Sequence, residues 1–273
     1  MNRSARFMAL AGVSLGLASS MCGCGLFGSQ PQNQPQRPKE DLYTEMATAE
    51  NAVSMPDAGK NDAIVVTVAR DGKVFLGIDR FDSSGLSLRV RDLLANRVDK
   101  EVYIRADARA KLRPVEDGVD SLRAAGVDEI GLLVRKGGAN GQQSNPDHQT
   151  IPTGLELAVP PVPVSGHSPV KQSGWGMPPP PPPLSTPSKG DTVVQILYEP
   201  SGTPAYKIDH ADVQKAQLLP KLTGIYANRQ RRVVYIQADD SLDFASVVEV
   251  IDIARGADID HIVLLTPQLL AGH

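Results

Sequence analysis

The sequence predicts an α/β (α+β) chain made of two repeats of one small β-β-α-β-α-β domain, each a mixed sheet with two helices on one face. Three observations carry this. Residues 102–107 read VYIRAD and residues 234–239 read VYIQAD, and each run is preceded by Ala-Asn-Arg, at 95–97 and 227–229. The offset of 132 residues persists without a gap to GVDEIGLLV at 126–134, facing DIDHIVLLT at 258–266. A period this long marks a duplicated domain rather than a short solenoid unit. Within each copy, β-branched runs alternate with stretches of helical apolar period. Between the copies lies a stretch rich in Pro and Gly.

In the first copy, residues 63–70 (AIVVTVAR) read as a strand because β-branched side chains suit a pleated, half-buried surface. Asp71-Gly72 is a hairpin turn, since Gly accepts positive φ, and residues 73–78 (KVFLGI) return as the second strand. Residues 85–97 carry Leu86, Val90, Leu93 and Leu94 at near-helical spacing. Residues 101–106 form a short buried strand. Pro114 suits the first turn of the next helix, whose stripe is Val115, Val119, Leu122 and Ala125, and Gly126 suits its end. Residues 130–134 close the unit. The second copy repeats this as 192–198, a turn at Ser201-Gly202, 205–208, a helix to Tyr226, 233–238, a helix over 244–254, and 262–266. Pro220 stands where the first copy has Leu88, so that helix is expected to begin near Leu219 or to kink. Single-helix crossovers between the strands put both helices of a copy on one face.

The domain boundaries follow: 1–28 a signal or lipoprotein-type anchor, 29–61 a flexible stalk, 62–136 the first domain, 137–190 a Pro/Gly-rich linker, and 191–268 the second domain. Residues 1–28 run from Arg3 and Arg6 through the uncharged FMALAGVSLGLA at 7–18 to Met21-Cys22-Gly23-Cys24. That is the basic, apolar, small-residue order of a secretory signal, and its apolar part is short of the roughly 20 residues of a spanning helix. Gly23-Cys24 resembles a bacterial lipoprotein processing site, with lipidation at Cys24. An uncleaved signal anchor and a plainly cleaved signal remain open beside it. All three readings place the body outside the cytoplasm, and the first two anchor it to a membrane; the expected location is the cell envelope, facing the periplasm. The stalk, beginning SQPQNQPQRPK at 29, is polar and lacks periodicity.

In the linker, six prolines at 178–183 read as a stiff spacer. Residues 155–160 (LELAVP) differ: Leu155, Leu157 and Val159 point to one side of an extended chain, and Pro160 ends any ladder. This is the pattern of a strand that augments an exposed sheet edge, in this chain or in a partner, and an incidental apolar patch is the competing reading. Trp175, between glycines, reads as packing loosely on its own protein.

Composition narrows the function. The formal charge of −3 excludes the basic excess of a nucleic-acid binder. Aromatics are 4%, so the cores rest on Val, Ile, Leu and Ala. The only cysteines are Cys22 and Cys24, so the body holds no disulfide and no Cys-based metal site. His148, His167, His210, His261 and His273 show no metal-ligand spacing, and no GxSxG, P-loop or GxGxxG occurs. Asp107 and Asp239 follow a strand and precede a helix, which suits loop or helix capping. Asp239, Asp240 and Asp243 suggest a cation site, but the first copy matches only the first of them. No catalytic constellation, metal or cofactor is expected, and the chain reads as a non-enzyme.

The ordered set Asp71-Gly72, Ile104-Arg105-Ala106-Asp107 and Ala125-Gly126-Val127, with Ile236-Gln237-Ala238-Asp239 and Ala257-Asp258-Ile259, resembles the periplasmic domain of the ExbD/TolR family. The resemblance implies a non-catalytic accessory in biopolymer transport coupled to the proton motive force. It implies as partners an ExbB/TolQ-like channel or a TonB/TolA-like transducer, and self-association of the two repeats or a homodimer. Residues 155–160 resemble the apolar stretch that precedes the folded domain in such proteins. The family also carries an aspartate in its membrane helix, whereas residues 7–28 here contain no Asp or Glu. That departure keeps open a second reading, an envelope scaffold or peptidoglycan-binding lipoprotein with no proton motor. Residues 60–137 hold 15 Lys/Arg and 13 Asp/Glu, and residues 190–273 hold 7 and 11, an opposite bias that favours contact between the copies.

Overall fold

The β-branched runs of each copy form the centre of a sheet. A computed structural model describes residues 44–97, 100–137, 151–161, 186–200 and 202–271. In the first copy β3 (Ile64–Val68) pairs antiparallel with β4 (Val74–Leu76) and parallel with β6 (Val102–Ala106), which pairs parallel with β7 (Glu129–Leu133). In the second, β10 (Thr192–Tyr198) pairs with β11 (Pro204–Ile208) and β13 (Val233–Ala238), and β13 with β14 (His261–Leu264), in the same senses. The parallel pairs need crossovers, and α1 (Ser83–Leu94), α2 (Leu112–Ala124), α3 (Lys215–Tyr226) and α4 (Phe244–Gly256) supply them.

Alternation decides which face the helices cover. Ile64, Val66 and Val68 on β3, with Ile104 and Ala106 on β6, are buried in one core with Leu86, Val90 and Leu94 of α1 and Leu112, Val115 and Leu122 of α2. The equivalent residues of the second copy belong to the same continuous core, including Leu218 and Leu222 of α3 and Phe244, Val247 and Ile251 of α4. The described residues accordingly fall within one compact unit. Each buried Leu, Ile or Val contributes roughly 1.5–3 kcal/mol of transfer free energy.

The first copy's hairpin turns at Gly72, with φ of 79°, and a Cβ there would meet Pro114 at 2.8 Å, so both backbone and packing require glycine. Asp82 caps α1 by accepting from the Gly85 amide at 2.8 Å. Gly126 ends α2 with φ of 86°.

Several elements depart from the sequence reading. α3 starts at Lys215 and runs through Pro220 rather than beginning near Leu219. Pro220 is exposed, so the carbonyl left without its donor faces water, while Leu218 and Leu222 stay buried on the other side. Each sheet gains a short edge strand, β5 (Asp79–Phe81) and β12 (Ala211–Val213). Residues 44–61, read as the end of the stalk, hold β1 (Thr48–Ala49), β2 (Val53–Ser54) and a 3-10 turn at Pro56–Gly59, and bury Ala47, Ala49, Ala52 and Met55. β8 (Arg135–Lys136) pairs parallel with β1, and a short α5 (Pro267–Leu270) follows β14. Within the linker, β9 (Thr153–Ala158) joins the first sheet, giving the order β2-β9-β7-β6-β3-β4-β5, against β12-β11-β10-β13-β14 in the second.

Candidate functional site: the seam between the repeats

Two helices without side-chain caps define the seam. Neither Lys111, before α2, nor Asp243, before α4, caps its helix with a side chain. The first amides of each helix find acceptors in the other copy instead. Leu112 N–H donates to Leu242 C=O at 2.9 Å, and Phe244 N–H donates to Ala110 C=O at 2.8 Å. Arg113 N–H donates to Asp240 C=O at 3.4 Å, and Ala245 N–H donates to Ala108 C=O at 2.9 Å. Each bond of a pair maps onto the other when the copies are exchanged by the 132-residue offset. The relation is isologous, a pseudo-two-fold axis passing between Lys111 and Asp243, which form an isolated antiparallel bridge. The repeats thus satisfy each other's exposed helix amides.

Charge and apolar packing follow the same axis. Lys111 Nζ lies 2.9 Å from Asp243 Oδ1, and Arg113 spans Asp240 at 3.2 Å and Asp117 at 3.1 Å. Ala110, Leu112, Leu242 and Phe244 are buried beneath. Both helices carry Asp-x-x-Arg at matching positions, and both acids bond to other elements. Asp120 Oδ1 accepts from the buried Thr266 hydroxyl at 2.7 Å and lies 3.4 Å from Arg123. Asp252 accepts from the amides of Glu50 at 2.9 Å and Asn51 at 2.7 Å, tying the segment before the first copy to α4 of the second. Arg255 pairs with Glu156 of β9 at 2.6 Å.

Glu116 breaks the symmetry. It occupies the position of Val248, is 1% exposed, and neither carboxyl oxygen accepts a hydrogen bond among the described residues. Burial first, and then the neighbouring Asp240 carboxylate, push it up to about 8. A protonated Glu116 can donate to Asp240, whereas two carboxylates there would repel. Burial also raises Asp120, against the pull of Thr266 and Arg123. No periodicity flags Glu116; laying the repeats side by side, an acid against a core valine, does.

β9 lies in this seam. It pairs antiparallel with the edge of β7, Leu157 opposite Ile130 and Leu155 opposite Leu132. Leu155, Leu157 and Val159 are 0%, 1% and 3% exposed, and Pro160 is buried with them. Val159 N–H donates to Asp128 C=O at 2.9 Å before the prolines end the ladder. Gly154 is required: a Cβ there would meet Met55 Sδ at 2.3 Å and Leu132 C=O at 2.6 Å. Leu157, Val159 and Pro160 face Leu264 and Leu269 of the second copy across a closely packed gap.

The motif aspartates hold loops beside the seam. Asp107, 1% exposed, accepts from the amides of Arg109 at 3.0 Å and Glu45 at 3.1 Å, and from Arg109 Nε at 3.3 Å. Burial raises its pKa, but these donors together hold it below the usual carboxylate range. Asp239 is exposed and accepts from the Ser241 hydroxyl and from its amide at 2.9 Å, which lowers it. Both are turns of the same kind, closed from residue i to i+2. Asp240 and Asp243 face Arg113 and Lys111 rather than a common centre, and among the described residues no group of three His, Cys, Asp or Glu is placed to hold a metal ion. Cys24, Trp175 and the prolines at 178–183 lie outside the described residues. Among the described residues no helix is long and apolar enough to cross a membrane.

Compared with curated proteins, the sequence matches none. Compared with protein families, residues 33–137 and 167–268, roughly three-quarters of the chain, match the family described as biopolymer transport protein ExbD/TolR. Each matched segment contains one of the two copies, and begins before it. Members of that family are envelope-associated, non-catalytic transport accessories that work with ExbB/TolQ and TonB/TolA partners. Tandem sheets that share one central topology, related by an isologous seam and matched twice by one family, place the chain within it: it belongs to the ExbD/TolR family of biopolymer transport proteins.

Proposed function

We propose that this chain is a membrane-tethered, periplasm-facing accessory in envelope transport coupled to the proton motive force, in which one polypeptide supplies a ready-made pair of ExbD/TolR-like domains. The observation that carries the reading is the reciprocal capping of α2 and α4. Two domains that complete each other's helix ends act as one unit, and their covalent link makes pairing independent of concentration. Cys24 is the proposed lipidation site and residues 1–28 the tether. Leu155, Leu157, Val159 and Pro160 are proposed to serve as the augmenting strand within the pair, leaving partners to engage other surfaces; their pairing with β7 supports this. The chain acts without catalysis or cofactor, through an ExbB/TolQ-like channel or a TonB/TolA-like transducer.

Residues 7–28 contain no Asp or Glu, which favours a second reading, an envelope scaffold or peptidoglycan-binding lipoprotein without a motor. Affinity isolation from detergent-solubilised membranes, with mass spectrometry of the partners and of the mature N-terminus, separates the two. Recovery of an ExbB/TolQ-like channel with a lipid-modified Cys24 is expected. Sedimentation with isolated cell wall and no such channel would support the scaffold instead.

A further inference from the structure

The repeats differ where β3 and β10 begin. Ala69 N–H donates to Lys73 C=O at 2.9 Å, so the odd-numbered residues of β3 aim their backbone groups at β4. The β3–β4 ladder starts at Val66 opposite Leu76, as the β10–β11 ladder starts at Val194 opposite Ile208. Val65 therefore aims an N–H and a C=O at the place where β4 has already turned away at Gly77, whose φ is 63°. No hydrogen bond joins Val65 to Gly77 among the described residues.

In the second copy the same place is filled. Val193 corresponds to Val65, because Thr67 pairs with Arg105 as Gln195 pairs with Gln237. The Val193 amide donates to the Asp209 carboxylate at 2.8 Å, and the Asp209 amide donates back to Val193 C=O at 3.0 Å. Asp209 sits in a turn with φ of 48°, the counterpart of Gly77. Its carboxylate thus occupies a position that the first copy leaves open, beside an equivalent strand amide.

That opening is a cleft of about 380 Å³, lined by Val65, Thr67, Gly77, Arg89, Arg97 and Arg105 among others. Arg105 stands where the second copy has Gln237, which is satisfied by Gln195 at 3.0 Å. Its Nη2 donates to Thr67 Oγ1 at 3.1 Å, and its Nε–H is buried without a partner. Neither Arg105 nor Arg89 pairs with a carboxylate among the described residues, while Arg97 pairs with Asp62 at 3.6 Å and Asp79 lies on the rim. A half-buried guanidinium whose buried Nε–H has no partner is costly unless an acceptor completes it.

We propose that this cleft binds a small oxyanion-bearing ligand, a carboxylate or a phosphate, held by Arg105 and the Val65 amide in the place that Asp209 fills in the second copy. Arg89 supplies a further positive charge at the mouth. Only the first repeat has the site, so the pair binds one ligand.

The test is titration of the full chain with inorganic phosphate and, separately, with succinate, followed by backbone and arginine Nε resonances at constant ionic strength. Saturable shifts at the Val65 amide and Arg105 Nε are expected for at least one of them. Which anion saturates distinguishes a phosphate-bearing from a carboxylate-bearing ligand. R105Q installs the residue of the second copy and should weaken binding at least tenfold. G77D installs the carboxylate of the second copy, in a backbone conformation that Asp tolerates, and should block the site from within while the fold stays intact. Shifts equalled by sodium chloride, no saturable shift with either anion, or unchanged affinity in both variants would overturn the proposal.

Discussion

Lys111 and Asp243 are the same position of the two repeats, and they face each other, backbone to backbone and Nζ to Oδ1 at 2.9 Å. Both side chains are more than half exposed, at 59% and 52%. The ion pair should therefore contribute no more than about 1 kcal/mol in a double-mutant cycle of K111A and D243A read by urea denaturation. Phe244, one position away and only 2% exposed, should behave differently, F244A costing about 3–5 kcal/mol. A coupling above about 2 kcal/mol between the charges, or an F244A loss below about 1 kcal/mol, would mean that the seam is held differently.

Glu116 gives the seam a pH dependence of definite sign. Its folded pKa is raised from 4.5 to about 8, so between these values the unfolded chain releases the proton first. Its contribution is most favourable below pH 4.5, declines as pH rises towards 8, and then levels off. The decline should be on the order of 2–4 kcal/mol in the wild-type chain, after allowing for the coupling to Asp240. E116Q should remove this component, and E116V, which copies Val248, should be the more stable protein at pH 8. Thermal melts from pH 5 to 8.5 check both; parallel profiles for wild type and E116Q would refute the assignment.

The two motif aspartates should not be equivalent. D107A strands two backbone amides around a buried site and should cost about 2–4 kcal/mol, with release of residues 44–46 from the domain. D239A exposes its freed amide to water and should cost about 1 kcal/mol or less. Because its donors hold the Asp107 pKa down, its contribution is present at neutral pH and is lost as pH falls through the acid range. Chemical denaturation at pH 7 and near pH 3 distinguishes these outcomes.

For β9 the expectation is protection. Amides at 155, 157 and 159 should exchange with solvent far more slowly than those of 186–190, and L157D should remove the protection by placing a charge in an apolar, closely packed gap. Exchange at 155–159 as fast as in the flanking linker would contradict the pairing with β7.

The sequence made the central strands and helices legible because their apolar residues repeat at 2 and 3.6 residues and occur twice. It made the shape of β9 legible through Leu155, Leu157 and Val159, but not its acceptor, since alternation names a strand and not a neighbour. Residues 44–61 escaped because the contacts made by Ala47, Ala49 and Ala52 are those of small side chains in a segment without period. The expected start near Leu219 failed because the rule against internal proline weakens where the freed carbonyl is hydrated. The seam was the least legible part: its decisive bonds come from backbone amides, which every sequence has.

Fusion also changes what can sit on the axis. In a dimer of identical chains, a residue on the two-fold axis meets its own kind, so a lysine there would face a lysine. Joined in one polypeptide, the two positions are free to differ, and Lys111 faces Asp243. The same freedom lets Glu116 stand opposite a valine position and Arg105 opposite a glutamine position, and it provides one β9 for two sheets. A single ancestral plan has become a pair with a distinguishable left and right, so any partner that binds it has one orientation to choose rather than two.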